Sequence, residues 1–190
     1  TIRNLELGIG GGNEGKTLLS VLDNTVSPMG ARLLKRWLVM PLKDVDKINE
    51  RLDAVEYFIK NVDDRNKLIT AIKAVGDVER LVSKIPMKRI NPREVMQLAK
   101  GLLQVEIIKQ ICSSASNSYL QRLSDGLNTC NFILQKIQNE INENPPIAVN
   151  KGGAIKNGVD SALDDLRNIA TNGKEYLLNI QQREAEVTGI

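Results

Sequence analysis

The sequence predicts an all-α fold: a multi-helix core domain with one small β-hairpin and a long C-terminal helix. Three observations predict it. Apolar residues recur at steps of three and four along most of the 190 residues, as they do on one face of a helix. Capping residues and prolines stand at the ends of these segments. The long Val, Ile and Leu runs that form buried parallel strands are missing from the sequence.

The first segment is a glycine-rich linker over residues 1–15. It contains GGGNEGKT, which fits the phosphate-loop pattern G-x-x-x-x-G-K-[ST] at Gly10, Gly15, Lys16 and Thr17. A phosphate-binding loop must connect a buried strand to a helix, and a second strand must supply an Asp for Mg²⁺. The preceding TIRNLELGI is interrupted by polar residues, and no second strand follows. We interpret the match as coincidental and assign these four residues no cofactor.

A helical core domain is predicted over residues 16–144, beginning with a helix near Lys16. Ser27-Pro28 has the form of an N-cap and a first helical residue, and Pro41 stops the helix that follows. Asp44 is the N-cap of the next helix. The apolar residues of that helix form a single stripe: Val45, Ile48, Leu52, Val55 and Ile59.

The longest helix of the core domain begins at a capping box. Asn91 and Glu94 have the required spacing, with Pro92 between them at the tolerated first position, and the helix should run to about Ile111. Further helices are predicted over 63–75, 77–85, 119–126 and 129–141.

The last two segments have different patterns. Residues 145–158 predict a small hairpin, in which two short apolar segments flank the turn residues 150–153. Residues 159–190 predict one helix with a heptad seam, about 48 Å long at 1.5 Å per residue. The seam consists of Val159, Leu163, Leu166, Ala170, Gly173, Leu177, Ile180, Glu184 and Val187. Its large apolar members, Leu163, Leu166, Leu177 and Ile180, need a covering partner.

Composition argues against catalysis. The chain has no histidine, so it lacks the commonest general base and metal ligand, and neighbouring carboxylates such as Asp164-Asp165 point in different directions on a helix. We therefore predict no catalytic residue and no metal site. Two isolated cysteines and the lack of a membrane-spanning apolar run favour a soluble, cytoplasmic protein.

Two basic groups are candidate phosphate contacts. Their members are Lys84, Lys88, Arg89 and Arg93 in one group, and Arg32, Lys35 and Arg36 beside Trp37 in the other. No aromatic residues alternate with the first group for base stacking, and the formal net charge is only +3. We interpret the first group as a solvated corner and Trp37 as a packing anchor.

Residues 17–55 resemble the opening of the core (lever) domain of MutS-type DNA mismatch repair proteins. That family has a leucine-aspartate-x-threonine stretch, a glycine-x-arginine-leucine-leucine-x-x-tryptophan-leucine signature, and then proline-leucine. The match falls on Leu22, Asp23, Thr25, Met29, Gly30, Arg32, Leu33, Leu34, Arg36, Trp37, Leu38, Pro41 and Leu42. It recurs at GDVERLVSKI (76–85), the 145–158 segment and REAEVTGI (183–190), and at Thr1, Arg3, Asn4, Leu5 and Glu6.

The resemblance implies a role in transmission. In that family the last motif precedes the clamp domain that holds DNA, so residues 159–190 would be a lever helix leading toward a clamp absent from this chain. The parent protein would be a homodimer that binds mismatched DNA and uses ATP and Mg²⁺ through its own ATPase domain. The partners of this segment would be the clamp and ATPase domains of the same polypeptide. We expect the chain to be a piece of that longer protein, without enzymatic activity of its own.

Two other classes of function remain open at this point. The alternative to the mismatch repair segment is a free-standing helical or coiled-coil interaction module. The third hypothesis is a phosphate-loop enzyme, which would require that GGGNEGKT bind a nucleotide.

Overall fold

The computed structural model of the chain describes residues 17–189, so Gly10, Gly15 and Lys16 of the phosphate-loop match lie outside the described residues. Within residues 17–189 the chain forms ten α-helices, one short 3₁₀ helix and no strand longer than a single bridge, which confirms the all-α class. The elements are α1 (Leu18–Leu22), α2 (Pro28–Val39), α3 (Val45–Lys60), α4 (Val62–Val75), α5 (Val78–Ser83), α6 (Pro92–Ser114), α7 (Ser118–Asp125), α8 (Asn131–Glu140), the 3₁₀ helix (Val149–Lys151), α9 (Ser161–Thr171) and α10 (Gly173–Thr188).

The predicted caps at Ser27 and Asn91 are confirmed by their hydrogen bonds. Ser27 Oγ accepts from the Gly30 N–H at 3.2 Å, ahead of Pro28. At α6, Asn91 Oδ1 accepts from the Glu94 N–H at 3.0 Å, and Glu94 Oε2 accepts from the Asn91 N–H at 3.1 Å. Each cap satisfies backbone donors that have no partner inside the helix.

Helix α6 lies at the centre of the body, packed against α4, α5, α7 and α8. Gly101 permits the close approach of α4, because a Cβ at that position would lie 2.6 Å from the carbonyl oxygen of Val75. Near the other end of α6, Cys112 packs with Ala115 and Leu120, and burial raises the pKa of its thiol. The core is thus assembled around one long helix.

Helix α3 packs against the body through a different face from the apolar stripe that the sequence analysis identified. Its buried side contains Ala54, with Tyr57 and Phe58 beside it, and a bidentate pair between Glu50 and Arg122 joins α3 to α7. The apolar stripe noted in the sequence lies on the outer side: Val45, Leu52, Val55 and Ile59 are 56–66% exposed. This stripe is available to a partner rather than to the core of the described residues.

The predicted hairpin over 145–158 is not confirmed. Its two arms do not pair in the structure. Instead Ile155 forms an antiparallel bridge with Ile141 after α8, and the Asn142 N–H donates to the Ala154 carbonyl at 3.0 Å. Gly152 and Gly153 have φ of 71° and 74°, and these left-handed conformations turn the chain back toward α8. The second arm therefore pairs with an earlier segment.

The range 159–190 holds two helices rather than one. Helix α9 ends at Thr171 and α10 begins at Gly173, with Asn172 between them at φ −110° and ψ 33°. Asn and Gly are weak helix formers, and here they are adjacent. The boundaries of the predicted units over 16–144, 145–158 and 159–190 stay predictions. No helix among residues 17–189 combines the length and apolarity that crossing a membrane requires.

Candidate functional site

The signature residues build a corner at the start of α2. Asp23 Oδ1 accepts from both the N–H and the hydroxyl of Thr25, at 3.1 and 2.6 Å, and these bonds lower the pKa of Asp23. Thr25 and the cap residue Ser27 then lie against Gly30. A Cβ at Gly30 would lie 3.2 Å from Ser27 Oγ and 3.4 Å from Thr25 Cβ. The absence of a side chain at Gly30 lets the turn pack on the helix.

Arg32 joins this corner to α5. Its Nη1 and Nη2 donate to the two oxygens of Asp77 at 3.0 and 2.6 Å. Its Nε and Nη2 donate to Glu79 Oε2 at 3.0 and 2.7 Å. The planar guanidinium thus holds two carboxylates at once, which a lysine could not do with the same geometry. We call Arg32, Asp77 and Glu79 the arginine clamp.

Asp77 has two roles in this clamp. It accepts from Arg32 and is also the N-cap of α5, where Oδ1 accepts from the Arg80 N–H at 3.2 Å. The hydrogen bonds that Arg32 donates are the main reason that the pKa of Asp77 lies below its usual value. The same bonds, accepted by Asp77 and Glu79, raise the pKa of Arg32. Asp77 therefore caps α5 and, through its ion pair with Arg32, also connects α5 to α2.

The remaining signature residues lie along α2 and in the segment that follows it. The Trp37 ring lies under the guanidinium of Arg51 in α3, with 3.7 Å from the Arg51 Cζ to the ring centroid. This cation–π contact joins α2 to α3 at the surface, since Trp37 is 39% exposed. That Trp37 is a packing anchor stays a prediction. Of the others, Leu34 and Leu42 are half-buried, whereas Leu33, Arg36 and Pro41 are exposed.

A second polar cluster fixes the start of α9. Arg167 donates through Nη1 to Asp164 Oδ1 and Asn157 Oδ1, both at 2.9 Å, and through Nη2 to the Ile155 carbonyl at 2.9 Å. Asp164 Oδ2 accepts from the Gly158 N–H at 2.6 Å. Because Ile155 is itself paired with the end of α8, this cluster attaches α9 to the body. We call it the α9 root.

Beyond the body, most of the large apolar residues of the seam are exposed to solvent. Leu166 and Leu177 are 64% and 66% exposed, Ile180 is 42% exposed, and Leu163, next to Asp164 of the root, is half-buried. Within residues 17–189, the one element with which α9 makes more than marginal contact is α10, which follows it directly in the chain. The apolar face of α9 and α10 thus has no extensive cover in the described part of the chain.

The basic cluster of the α5–α6 corner is partly engaged within the chain. Lys84 pairs with Glu94, which lowers the pKa of Glu94, and Arg93 Nε donates to the Pro145 carbonyl at 3.0 Å. Lys88 and Arg89 are exposed. Part of this group is therefore bonded within the chain, and its interpretation as a solvated corner stays a prediction.

The described residues bear on the phosphate-loop and metal hypotheses in two places. Thr17 Oγ1 accepts from the Ser20 N–H at 3.1 Å as the N-cap of α1. No group of three or more Cys, Asp or Glu residues that could hold a metal ion occurs among residues 17–189.

Sequence reasoning missed the α9 root. Asp164 was assessed as half of an acidic pair, and Arg167 was not singled out. Their spacing of three places both on one face of a helix, but the acceptors at Ile155 and Asn157 lie on an irregular segment that no periodic pattern describes. The arginine clamp was missed in part, because Arg32 and the GDVERLVSKI motif were identified but the pairing of Arg32 with Asp77 and Glu79, 45 and 47 residues away, was not.

Comparison with known proteins places these features in one family. A family model described as MutS domain III matches residues 1–188. The DNA mismatch repair protein MutS of Bacteroides fragilis (strain YCH46) is 53% identical over 191 residues, which cover 100% of this chain and 22% of the relative. The proteins of the same name from Phocaeicola vulgatus and Parabacteroides distasonis are 53% and 48% identical, with the same coverage. The chain thus spans about a fifth of the length of these relatives.

Proposed function

Because the chain belongs to the MutS family, as its domain III, we propose that it is the core and lever segment of a DNA mismatch repair protein. In this role it connects a clamp that holds mismatched DNA to a domain that hydrolyses ATP. It performs no chemistry itself. It holds the two activities in a fixed geometry and passes a displacement at one end to the other.

The observation that carries this proposal is the contrast between the two ends of α9. At its root, Asp164 and Arg167 make charge-assisted hydrogen bonds to a segment that is itself paired with the end of α8. Beyond the root, the apolar seam of α9 and α10 is exposed. A helix fixed at one end changes its direction when the body below it moves. The exposed seam supplies the surface on which a further segment of the parent protein packs.

ATP and Mg²⁺ enter this proposal only through the parent protein. The Thr17 hydroxyl accepts the cap bond of α1, so it is already engaged as a structural group. The relatives are about five times longer than this chain, which leaves room for a clamp, an ATPase domain and a dimer contact elsewhere in the parent. Mismatched DNA and a second copy of the parent are partners of that whole protein.

A chimera tests the proposal directly. The matching segment of the Bacteroides fragilis protein is replaced by this chain, and the chimera is expressed in a strain that lacks its own mismatch repair protein. We expect a return to a low mutation rate. We further expect Arg167→Ala in the chimera to leave DNA binding and basal ATP hydrolysis in place while it weakens the effect of mismatched DNA on ATP turnover.

The matched control is Arg183→Ala, which removes an exposed arginine of α10 far from the root. A chimera that hydrolyses ATP and responds to mismatches equally well with and without Arg167 would contradict the connecting role of the root. A chimera that folds but never lowers the mutation rate would favour the free-standing interaction module instead.

A further inference from the structure

Two Asn-Gly pairs flank α9: Asn157-Gly158 at its start and Asn172-Gly173 at its end. An asparagine followed by glycine is the pair most prone to deamidation, because glycine has no Cβ to hinder its nitrogen and its backbone rotates freely. The two pairs share this chemistry but differ in their contacts. We propose that Asn172 is a site of spontaneous deamidation in the folded chain and that the α9 root protects Asn157.

The reaction is an intramolecular substitution with water as the second reactant. The glycine nitrogen loses its proton to solvent and forms a bond to the Cγ atom of the asparagine. The bond between Cγ and Nδ2 breaks, and the amide nitrogen takes up a proton and leaves as ammonia. Water then opens the cyclic imide at either carbonyl, which gives aspartate or isoaspartate. No oxidant or reductant takes part.

Both reacting groups of the first pair are held. The Asn157 Oδ1 accepts from Arg167 Nη1 at 2.9 Å, which fixes the side-chain amide. The Gly158 N–H donates to Asp164 Oδ2 at 2.6 Å, which fixes the nucleophilic nitrogen. Asp164 and Arg167 also bond each other at 2.9 Å, so attack at Cγ requires that the whole root open.

Among the side chains that the structure describes, none restrains the second pair in this way. Asn172 is exposed and makes no side-chain cap bond to α10. The Gly173 N–H has no backbone acceptor within residues 17–189, as expected for the first N–H of a helix. Around Gly173 there is open space, since a Cβ built there would meet nothing within 4 Å. The amide carbon and the nitrogen can therefore approach each other without breaking a tertiary contact.

The product has a local structural effect. Aspartate at position 172 places a negative charge at the start of α10, where the helix dipole favours it. Isoaspartate instead adds a carbon to the backbone at the junction of α9 and α10 and so changes the direction of α10 relative to α9.

Peptide mapping of the folded 190-residue chain after incubation at mildly alkaline pH tests the proposal. Trypsin separates the two sites, because it cleaves after Lys156, Arg167 and Lys174. We expect deamidation about tenfold faster at Asn172 than at Asn157, which corresponds to about 1.4 kcal/mol of protection. In concentrated urea the two rates should converge, since both pairs then have the same local chemistry.

Two variants separate the contributions. Gly173→Ala should slow the reaction at Asn172, and Arg167→Ala should accelerate it at Asn157 without a change at Asn172. An Asn157 that reacts as fast as Asn172 in the folded chain would overturn the proposal. So would a rate ratio that urea leaves unchanged, because the difference would then come from the sequence and not from the root.

Discussion

At the scale of single residues, two arginines connect helices that are far apart in the sequence. Arg32 connects α2 to α5, and Arg122 connects α3 to α7 through Glu50, whose pKa this arginine lowers. Each arginine bonds its carboxylate through two nitrogens, the geometry that adds both specificity and strength to an ion pair. The orientation of the outer helices therefore depends on a few identified pairs.

Arg32→Ala should lower the melting temperature and change its dependence on pH. The pKa of Asp77 is depressed in the folded chain, so its contribution to stability is present above the unfolded value of about 3.9 and is lost as pH falls through the folded pKa. Since Arg32 is the main cause of that depression, the difference between wild type and variant should be largest near neutral pH and should shrink in acid. Thermal unfolding followed by circular dichroism across this pH range measures it.

The control for the clamp is Arg36→Ala, which removes an exposed cation one turn further along α2. It should leave the melting temperature and its pH dependence close to those of wild type. Equal effects of the two substitutions at every pH would mean that general charge, and not the clamp, stabilises the corner.

Gly101→Ala should destabilise the fold by about 1–3 kcal/mol, the usual range for overpacking a tight contact. The added Cβ would lie 2.6 Å from the Val75 carbonyl oxygen, which belongs to a backbone that cannot rotate away as a side chain can. Urea unfolding measures the change. Gly126→Ala is the matched control, because the nearest atom to its Cβ is 3.5 Å away. A Gly101→Ala chain as stable as wild type would show that α4 and α6 can separate without loss.

At the scale of elements, the sequence predicted the helix starts that depend on residues close in the chain. It did not predict which helix face is buried, because that depends on residues far away in the sequence. The caps Ser27, Asp44 and Asn91 act within a few residues, so their sequence pattern was sufficient. The stripe of α3 was also correctly identified as one face, but periodicity does not tell whether that face meets the core. Tyr57 and Phe58 take the inner side instead, and the Tyr57 hydroxyl donates to Asp64 of α4 at 2.7 Å.

The residues of the candidate site were predicted in part, but their contacts were not. The signature residues were identified by resemblance. Gly30 and Arg32 have specific contacts at the corner, and Trp37 contacts Arg51 of α3. Their pairings were not predicted. Asp77 lies in the GDVERLVSKI motif, but nothing in the sequence pairs it with Arg32, and Arg51 is an ordinary surface residue of the sequence. The α9 root depends on the carbonyl of Ile155, which carries no side-chain signal at all.

The break between α9 and α10 should close when its two weak helix formers are replaced. Asn172→Ala with Gly173→Ala should join the helices, since Gly is about 1 kcal/mol less favourable than Ala inside a helix and the new Cβ at 173 has open space. Hydrogen exchange should slow across residues 168–176. Asn168→Ala, within α9, raises helix propensity without touching the break and should not have this effect. Unchanged exchange in the double variant would show that the break is imposed by packing.

At the scale of the whole molecule, the charge distribution predicts weak contact with DNA. The net charge is +3, and Arg32, Lys84, Arg122 and Arg167 are engaged with carboxylates of the chain itself. We expect a dissociation constant of about 10⁻⁴ to 10⁻⁶ M, lost at moderate salt, as for non-specific binding. Fluorescence anisotropy with a mismatched and a fully paired duplex should give equal affinities. A preference for the mismatch at physiological salt would mean that recognition lies within this chain.

The final prediction concerns the exposed seam, which the proposed function assigns to a further segment of the parent protein. Leu166 and Leu177 are 64% and 66% exposed, and full burial of one such side chain contributes about 1.5–3 kcal/mol. In the isolated chain a second copy is the available cover, so we expect concentration-dependent pairing in sedimentation velocity. Leu166→Asp with Leu177→Asp should abolish it.

The matched control is Leu52→Asp with Val55→Asp on the exposed stripe of α3, which should leave pairing intact. Pairing that survives the seam substitutions but not the α3 substitutions would assign the contact to α3. A strictly monomeric chain whose α10 resists hydrogen exchange would show that the seam is already covered, and the lever interpretation would then be abandoned.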